Sequence, residues 1–187
     1  EVKPFVLSWA GFALRAVGRL EEATQPMKAG LEASTKDDDW KGAAQDASNL
    51  SELHLTIGNV TKAVNYGKES VDYADRSGNW REKMINRTTY ADALFQSGKV
   101  AEAQKRFQEA EQMQQKSQPE YPYLYSLPGF RYCYLLLSQG KTEAVLKRAQ
   151  ITLEPMTNDP YAPLFTIVVD KLTIGKTLFQ QLIAANK

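Results

Sequence analysis

Val17-Gly18-Arg19-Leu20-Glu21-Glu22-Ala23 returns three more times along the chain. The later copies are Ile57-Gly58-Asn59-Val60-Thr61-Lys62-Ala63, Ser97-Gly98-Lys99-Val100-Ala101-Glu102-Ala103 and Gln139-Gly140-Lys141-Thr142-Glu143-Ala144-Val145. Their glycines stand 40, 40 and 42 residues apart. Each glycine follows one apolar-periodic stretch and precedes another, which is where a helix stops on a left-handed residue and a second helix begins. The repeating unit is expected to be a helical hairpin, and a fixed period of this length is the signature of a stacked array.

On both sides of the turns the same register reappears. Seven residues before each turn glycine stands Gly11, Ser51, Ala91 or Cys133, and 42 residues beyond Cys133 comes Gly175. Five residues after each turn comes Ala23, Ala63, Ala103 or Val145, and twelve after it Gly30, Ser70, Ala110 or Thr152. Small side chains at these points let neighbouring helices approach closely. Larger groups fill the intervening positions: Leu14, His54, Leu94, Leu136 and Leu178 three residues after the small one, and Ala10, Leu50, Tyr90, Tyr132 and Ile174 one residue before it. Asp39-Trp40 and Asn79-Trp80 each place a capping residue ahead of a helix, and Asp159-Pro160 offers a cap followed by proline at the first helical position.

This pattern resembles the tetratricopeptide repeat family in a lengthened form, since a standard unit is about 34 residues. The resemblance implies an all-α, TPR-like superhelix (α-solenoid) of antiparallel hairpins, with four units plus one additional helix. It would be a single domain over 1–187, with units near 1–38, 39–78, 79–118 and 119–158 and a partial fifth at 159–187. The proline that commonly closes the second helix is missing. The later part, including Tyr121-Pro122-Tyr123-Leu124-Tyr125-Ser126-Leu127 and Arg131-Tyr132-Cys133, also resembles the repeat arrays at the end of large bacterial signalling proteins.

Composition narrows the function classes. The 23 Lys+Arg and 22 Asp+Glu nearly cancel, so the basic excess that drives nucleic-acid or anionic-membrane binding is lacking. No run of eighteen apolar residues and no signal-peptide pattern appears, and the expected location is cytoplasmic. The first residue is Glu1 rather than Met, which suggests a segment of a longer protein. One cysteine excludes an internal disulfide, and one histidine leaves no His/Cys set with metal-ligand spacing, so neither metal nor cofactor is expected.

No catalytic constellation is visible, and the chain is read as a binding module, not an enzyme. Cys133 occupies the small-residue register, which reads as packing rather than as a nucleophile. His54 falls in register with leucines. Asp37-Asp38-Asp39 lies between helices and reads as a solvated loop plus cap; no calcium-binding loop or phosphate-binding glycine loop is present.

In tetratricopeptide-like arrays the first helices of successive units line a groove. Transferred onto this register, the groove residues would be Ser8 and Phe12, Ser48 and Glu52, Thr88 and Asp92, and Phe130 and Tyr134, with Arg15, Leu55, Phe95 and Leu137 one turn later. Arg87 and Arg131 would supply anion contacts at the edge. Family members that clamp a C-terminal carboxylate place cationic or amide groups here, whereas Glu52 and Asp92 are acids. The expected partner is accordingly a protein or peptide of basic or mixed character, not an acidic C-terminal carboxylate. The chain would act as scaffold or sensor region of a larger intracellular protein; the alternative is an array that senses a small ligand and controls an attached ATPase or DNA-binding domain. Residues 117–125 interrupt the period at Pro119 and Pro122, and the tyrosines at 121, 123 and 125 suit either partner recognition or packing across helix ends.

From Pro160 to Ala185 the apolar residues support one long first helix with no second helix after it. An uncapped helix exposes apolar surface, so either the chain continues or this helix self-associates.

Overall fold

The computed structural model describes residues 4–158 and 161–186. These form nine helices and no strand: α1 (Pro4–Ala16), α2 (Leu20–Lys36), α3 (Trp40–Thr56), α4 (Val60–Ser77), α5 (Trp80–Gln96), α6 (Val100–Ser117), α7 (Ser126–Ser138), α8 (Thr142–Asn158) and α9 (Leu164–Ala185). The all-α class and the four hairpins plus one helix are as the register predicts. The cap expected at Asp159-Pro160 lies outside the described residues, and α9 begins at Leu164 rather than at 160.

The turn inside every hairpin is built the same way. Gly18, Gly58, Gly98 and Gly140 have φ of 80°, 79°, 83° and 72°, the left-handed region that glycine enters without steric cost. The residue after each glycine donates its amide to a carbonyl five residues back: Arg19 to Leu14, Asn59 to His54, Lys99 to Leu94 and Lys141 to Leu136, at 2.8–3.0 Å. This is the long bond of a Schellman closure. Helix starts are capped where expected: Asp39 accepts from the Gly42 amide at 2.9 Å, and Asn79 from the amides of Arg81 and Glu82 at 2.9 and 3.1 Å. Between the first and second hairpins Asp38 takes a left-handed φ of 54°, and 40 residues later Gly78 takes 70°.

Contacts group the chain into two compact units, residues 1–110 and 111–187, where periodicity alone suggests a single domain. The division falls within α6. In the first unit Ala23, Met27, Leu31, Ala43, Ala47, Leu50 and Leu53 form a continuous core against which Leu14, Leu20, Tyr66 and Tyr73 pack. The small positions do what small residues do. A Cβ on Gly11 would collide with Met27, Ser51 fits against α4 by donating its hydroxyl to the Ala63 carbonyl at 2.8 Å, and Ala91 is fully buried.

In the second unit the buried residues include Leu124, Tyr132, Cys133, Leu135, Val145 and Ala149. The segment that breaks the period is packed down rather than displayed. The Gln114 side-chain amide donates to the carbonyls of Tyr121 (3.1 Å) and Tyr123 (2.5 Å), the Gln115 amide donates to Pro122 (2.7 Å), and Glu111 accepts from the Leu124 amide (3.1 Å). Gly129 lies so close to the Leu124 carbonyl that a Cβ there would strike it.

Helix α9 is amphipathic in an unusual sense. Thr166, Val169, Asp170, Thr173 and Thr177 are buried, whereas Leu164, Phe165, Val168, Leu172, Leu178, Phe179, Leu182 and Ile183 are exposed. At about 100° per residue the exposed set falls on a single stripe of roughly 140° and the buried set opposite it. Gly175, at the small-residue register, lies on the exposed stripe with nothing within 4 Å of an added Cβ. Gly11 and Ser51 show why: that register faces the second helix of its own hairpin, and α9 has none among the described residues.

Candidate functional site

In the first unit, the helices α1, α3 and α5 present the side chains named from the register. Their arrangement differs from the expected open, acidic groove. Glu52 on α3 is engaged by the Arg15 guanidinium of α1 at 2.9 Å, so its charge is neutralised within the unit. Thr88 has no exposed surface and donates to the Ile85 carbonyl at 2.7 Å; Ser48 is buried and bonds the Thr89 hydroxyl on α5 at 3.1 Å. At Ser48 and Thr88 the position three before the small residue is therefore buried instead of facing a groove. Arg87 is also engaged, bonding Asp75 at 2.9 Å with Glu109 at 3.9 Å, and is not poised for anion contact. Leu55, Asp92 and Phe95 are half-buried, and Asp92 accepts from the Gln96 amide at 3.5 Å.

What does open to solvent in this unit lies towards its N-terminal end. Trp9 and Phe12 on α1 are 57% and 46% exposed and meet edge to face with ring centroids 5.9 Å apart. They border a cavity of about 520 Å³ between α1 and α3, whose other lining residues include Ser8, Lys41, Asp46 and Asn49. The Asp46 carboxylate is only 5% exposed and accepts from the hydroxyls of Ser34, at 2.9 Å, and Ser8. Burial raises its pKa above the usual carboxylate range, the two hydroxyl bonds opposing that shift. Gly30 on α2 positions Ser8, since a Cβ at residue 30 would meet the Ser8 side chain.

In the second unit, Arg131 is half-buried and Tyr134 is exposed, with the Lys176 ammonium 5.4 Å from the Tyr134 ring and 5.2 Å from that of Phe130. The dominant feature here was not among the expected site residues. Arg148 forms a two-pronged bond to the buried Glu111 carboxylate, at 2.5 and 2.6 Å, and its guanidinium lies between the rings of Tyr123 and Tyr132 at 4.5 and 4.6 Å.

Cys133 and His54 are both buried. Burial pushes the Cys133 thiol up to about 12, so almost no thiolate exists at neutral pH. His54 is buried, stacked on Tyr66 with centroids 5.3 Å apart and rings 2° from parallel; burial, then Lys62 and Lys28, lower its pKa.

Two solved structures of a Podosopora anserina protein, described as a kinesin light chain with nearly identical TPR-like repeats, superpose on this chain with TM-scores of 0.68 and 0.67. Each alignment covers 95% of this chain and 87% of the other at 12% sequence identity. The fold is TPR-like. No protein-family model and no curated protein matches the chain by sequence. At 12% identity the TPR-like likeness speaks for the backbone and not for any side chain that touches a ligand. No helix among the described residues is long and apolar enough to cross a membrane.

The register did carry signals for the features it was not used to find. Arg106 and Arg148 both stand eight residues after a turn glycine, and each covers a tyrosine sixteen residues earlier, Tyr90 at 5.9 Å and Tyr132 at 4.6 Å. Glu111 stands where the preceding TPR-like units place buried Leu31 and Val71, and an acid at an apolar register position calls for a cation nearby. Five residues before the small position come Asp46, Asn86 and Asp170, all buried.

Proposed function

We propose that the chain is a binding module for a polypeptide of basic or mixed charge, working as a scaffold or sensor region within a larger intracellular protein and not as an enzyme. The TPR-like fold supports this, because interaction modules are commonly built by stacking such hairpins. The observation that carries it is the first unit's solvent-open combination of Trp9 and Phe12 with the Asp46-lined cavity. Large rings at an exposed position supply contact area at small entropic cost. Arg15 neutralises Glu52, so the preference for basic character rests on Asp46 and Asp92. Titration with a panel of acidic and basic peptides should show tighter binding of the basic ones. Selective binding of acidic C-termini would overturn the reading.

The apolar stripe of α9 further supports self-association through that helix, the occupant being α9 of a second copy. Its eight exposed side chains offer on the order of 800 Å² per protomer, the size of a standard interface on one partner. Gly175 within the stripe leaves room for a second helix to approach. Sedimentation should show a concentration-dependent dimer that Phe179→Glu disperses; a monomer throughout the micromolar range would count against it.

A further inference from the structure

We infer that the cavity between α1 and α3 receives the cationic side chain, lysine or arginine, of a bound polypeptide, with Asp46 as counter-charge and Trp9 and Phe12 against its aliphatic stem. This rests on the peptide-binding reading above and specifies what is recognised. A carboxylate taken out of water is costly unless a cation or several donors replace its hydration. Asp46 is buried, and its donors among the described residues, Ser34 and Ser8, are hydroxyls that bear no charge.

Comparison along the same two helices shows what is different at this point. Six residues further on, α3 presents Glu52 and α1 answers with Arg15 at 2.9 Å. Seven residues before Arg15, α1 places Ser8 beside Asp46. The same helix pair thus contains an anion with a guanidinium facing it and an anion with a hydroxyl. The described lining residues carry one lysine, Lys41, against two aspartates, Asp39 and Asp46, a surplus of one negative charge.

A cavity of about 520 Å³ exceeds what a lone ammonium ion needs and suits an extended side chain with part of its backbone. Trp9 and Phe12 on its rim favour lysine and arginine in two ways, through contact of the ring face with the cation and through cover for the methylene stem.

The test uses a capped five-residue peptide with a central lysine, its norleucine analogue and n-butylammonium, followed through the Trp9 indole resonance of the whole chain. The lysine peptide should bind about tenfold more tightly than the norleucine peptide. Asp46→Asn should erase that difference, and Trp9→Leu, at a 57% exposed position and followed by calorimetry because it lacks the indole, should weaken both. Equal binding of the two peptides, or a lysine preference that survives Asp46→Asn, overturns the inference. So does a Trp9 shift with n-butylammonium and none with the lysine peptide, which would make the ligand a free amine. Peptides of the acidic and basic panel that bind without moving Trp9 would leave the binding-module reading intact and remove this one.

Discussion

Arg148→Ala is expected to destabilise residues 111–187 by about 3–5 kcal/mol, the range for removing one partner of a buried ion pair. Its guanidinium is 13% exposed and holds both oxygens of Glu111, itself among the buried residues. Truncation leaves an anion in a poorly solvated place and also withdraws the cation from between Tyr123 and Tyr132. Because Glu111 accepts from the Leu124 amide, the loss should spread into the loop before α7. Amide exchange at 121–125 should therefore accelerate at least as much as exchange in α8. All three tryptophans, Trp9, Trp40 and Trp80, lie in the first unit, so tryptophan fluorescence follows that unit while exchange follows the other. Arg148→Lys should recover little, since an ammonium cannot make the two-pronged bond. Joint replacement by Glu111→Leu and Arg148→Met should be milder than Arg148→Ala, as it leaves no charge unpaired and costs only the acceptor of the Leu124 amide. A loss below about 1 kcal/mol in Arg148→Ala would show that the pair is screened by water.

The legibility of the fold in the sequence and the obscurity of the site have the same origin. Turn glycines and small contact residues answer to the backbone, and every hairpin imposes the same demand; hence Gly18, Gly58, Gly98 and Gly140 keep one φ and one hydrogen-bond pattern. Gly175 fits the rule even where it is exposed, because the helix that would cover that position is the second of its hairpin. A groove position is defined in the sequence by its offset alone, and offset does not say which neighbour a side chain meets. Ser48 and Thr88 share a register and are both buried, Ser48 against Thr89 of the next first helix. Glu52 and Arg15 are 37 residues apart in sequence, and only the packing of α1 on α3 brings them to 2.9 Å. The tyrosine loop illustrates a further limit. Pro119 and Pro122 foretold a break in the helix, but the downward pull comes from Gln114, Gln115 and Glu111, polar residues whose partners are backbone groups that no pattern of side chains reveals.

Asp170→Asn should make the protein more stable at pH 7 and leave it nearly unchanged at pH 4. Asp170 is buried on the inward face of α9, where it accepts from the Thr152 hydroxyl of α8. Burial raises its pKa from 3.8 to about 6, the bond from Thr152 opposing the rise. The folded state therefore binds a proton more tightly than the unfolded chain does. The stability that this proton confers is complete below about pH 3.8 and is lost as pH rises through about 6, because the folded protein must then carry a poorly solvated charge. A rise from 3.8 to about 6 corresponds to about 3 kcal/mol. Asparagine keeps the shape and an acceptor for Thr152 without the charge, but its amide needs an acceptor where one carboxylate oxygen has no partner. The net gain at pH 7 should then be about 1–3 kcal/mol. Titration of His54 runs the other way: its lowered pKa makes stability fall as pH drops below 6.5. The quantity to measure is therefore the difference between parent and variant at each pH, in which His54 cancels. Denaturant unfolding from pH 4 to pH 8, monitored by amide exchange in α9, should give a difference that grows across the interval from about 4 to about 6 and then levels off. A difference that is the same at every pH would mean that Asp170 is hydrated in the folded state and that its burial carries no electrostatic penalty.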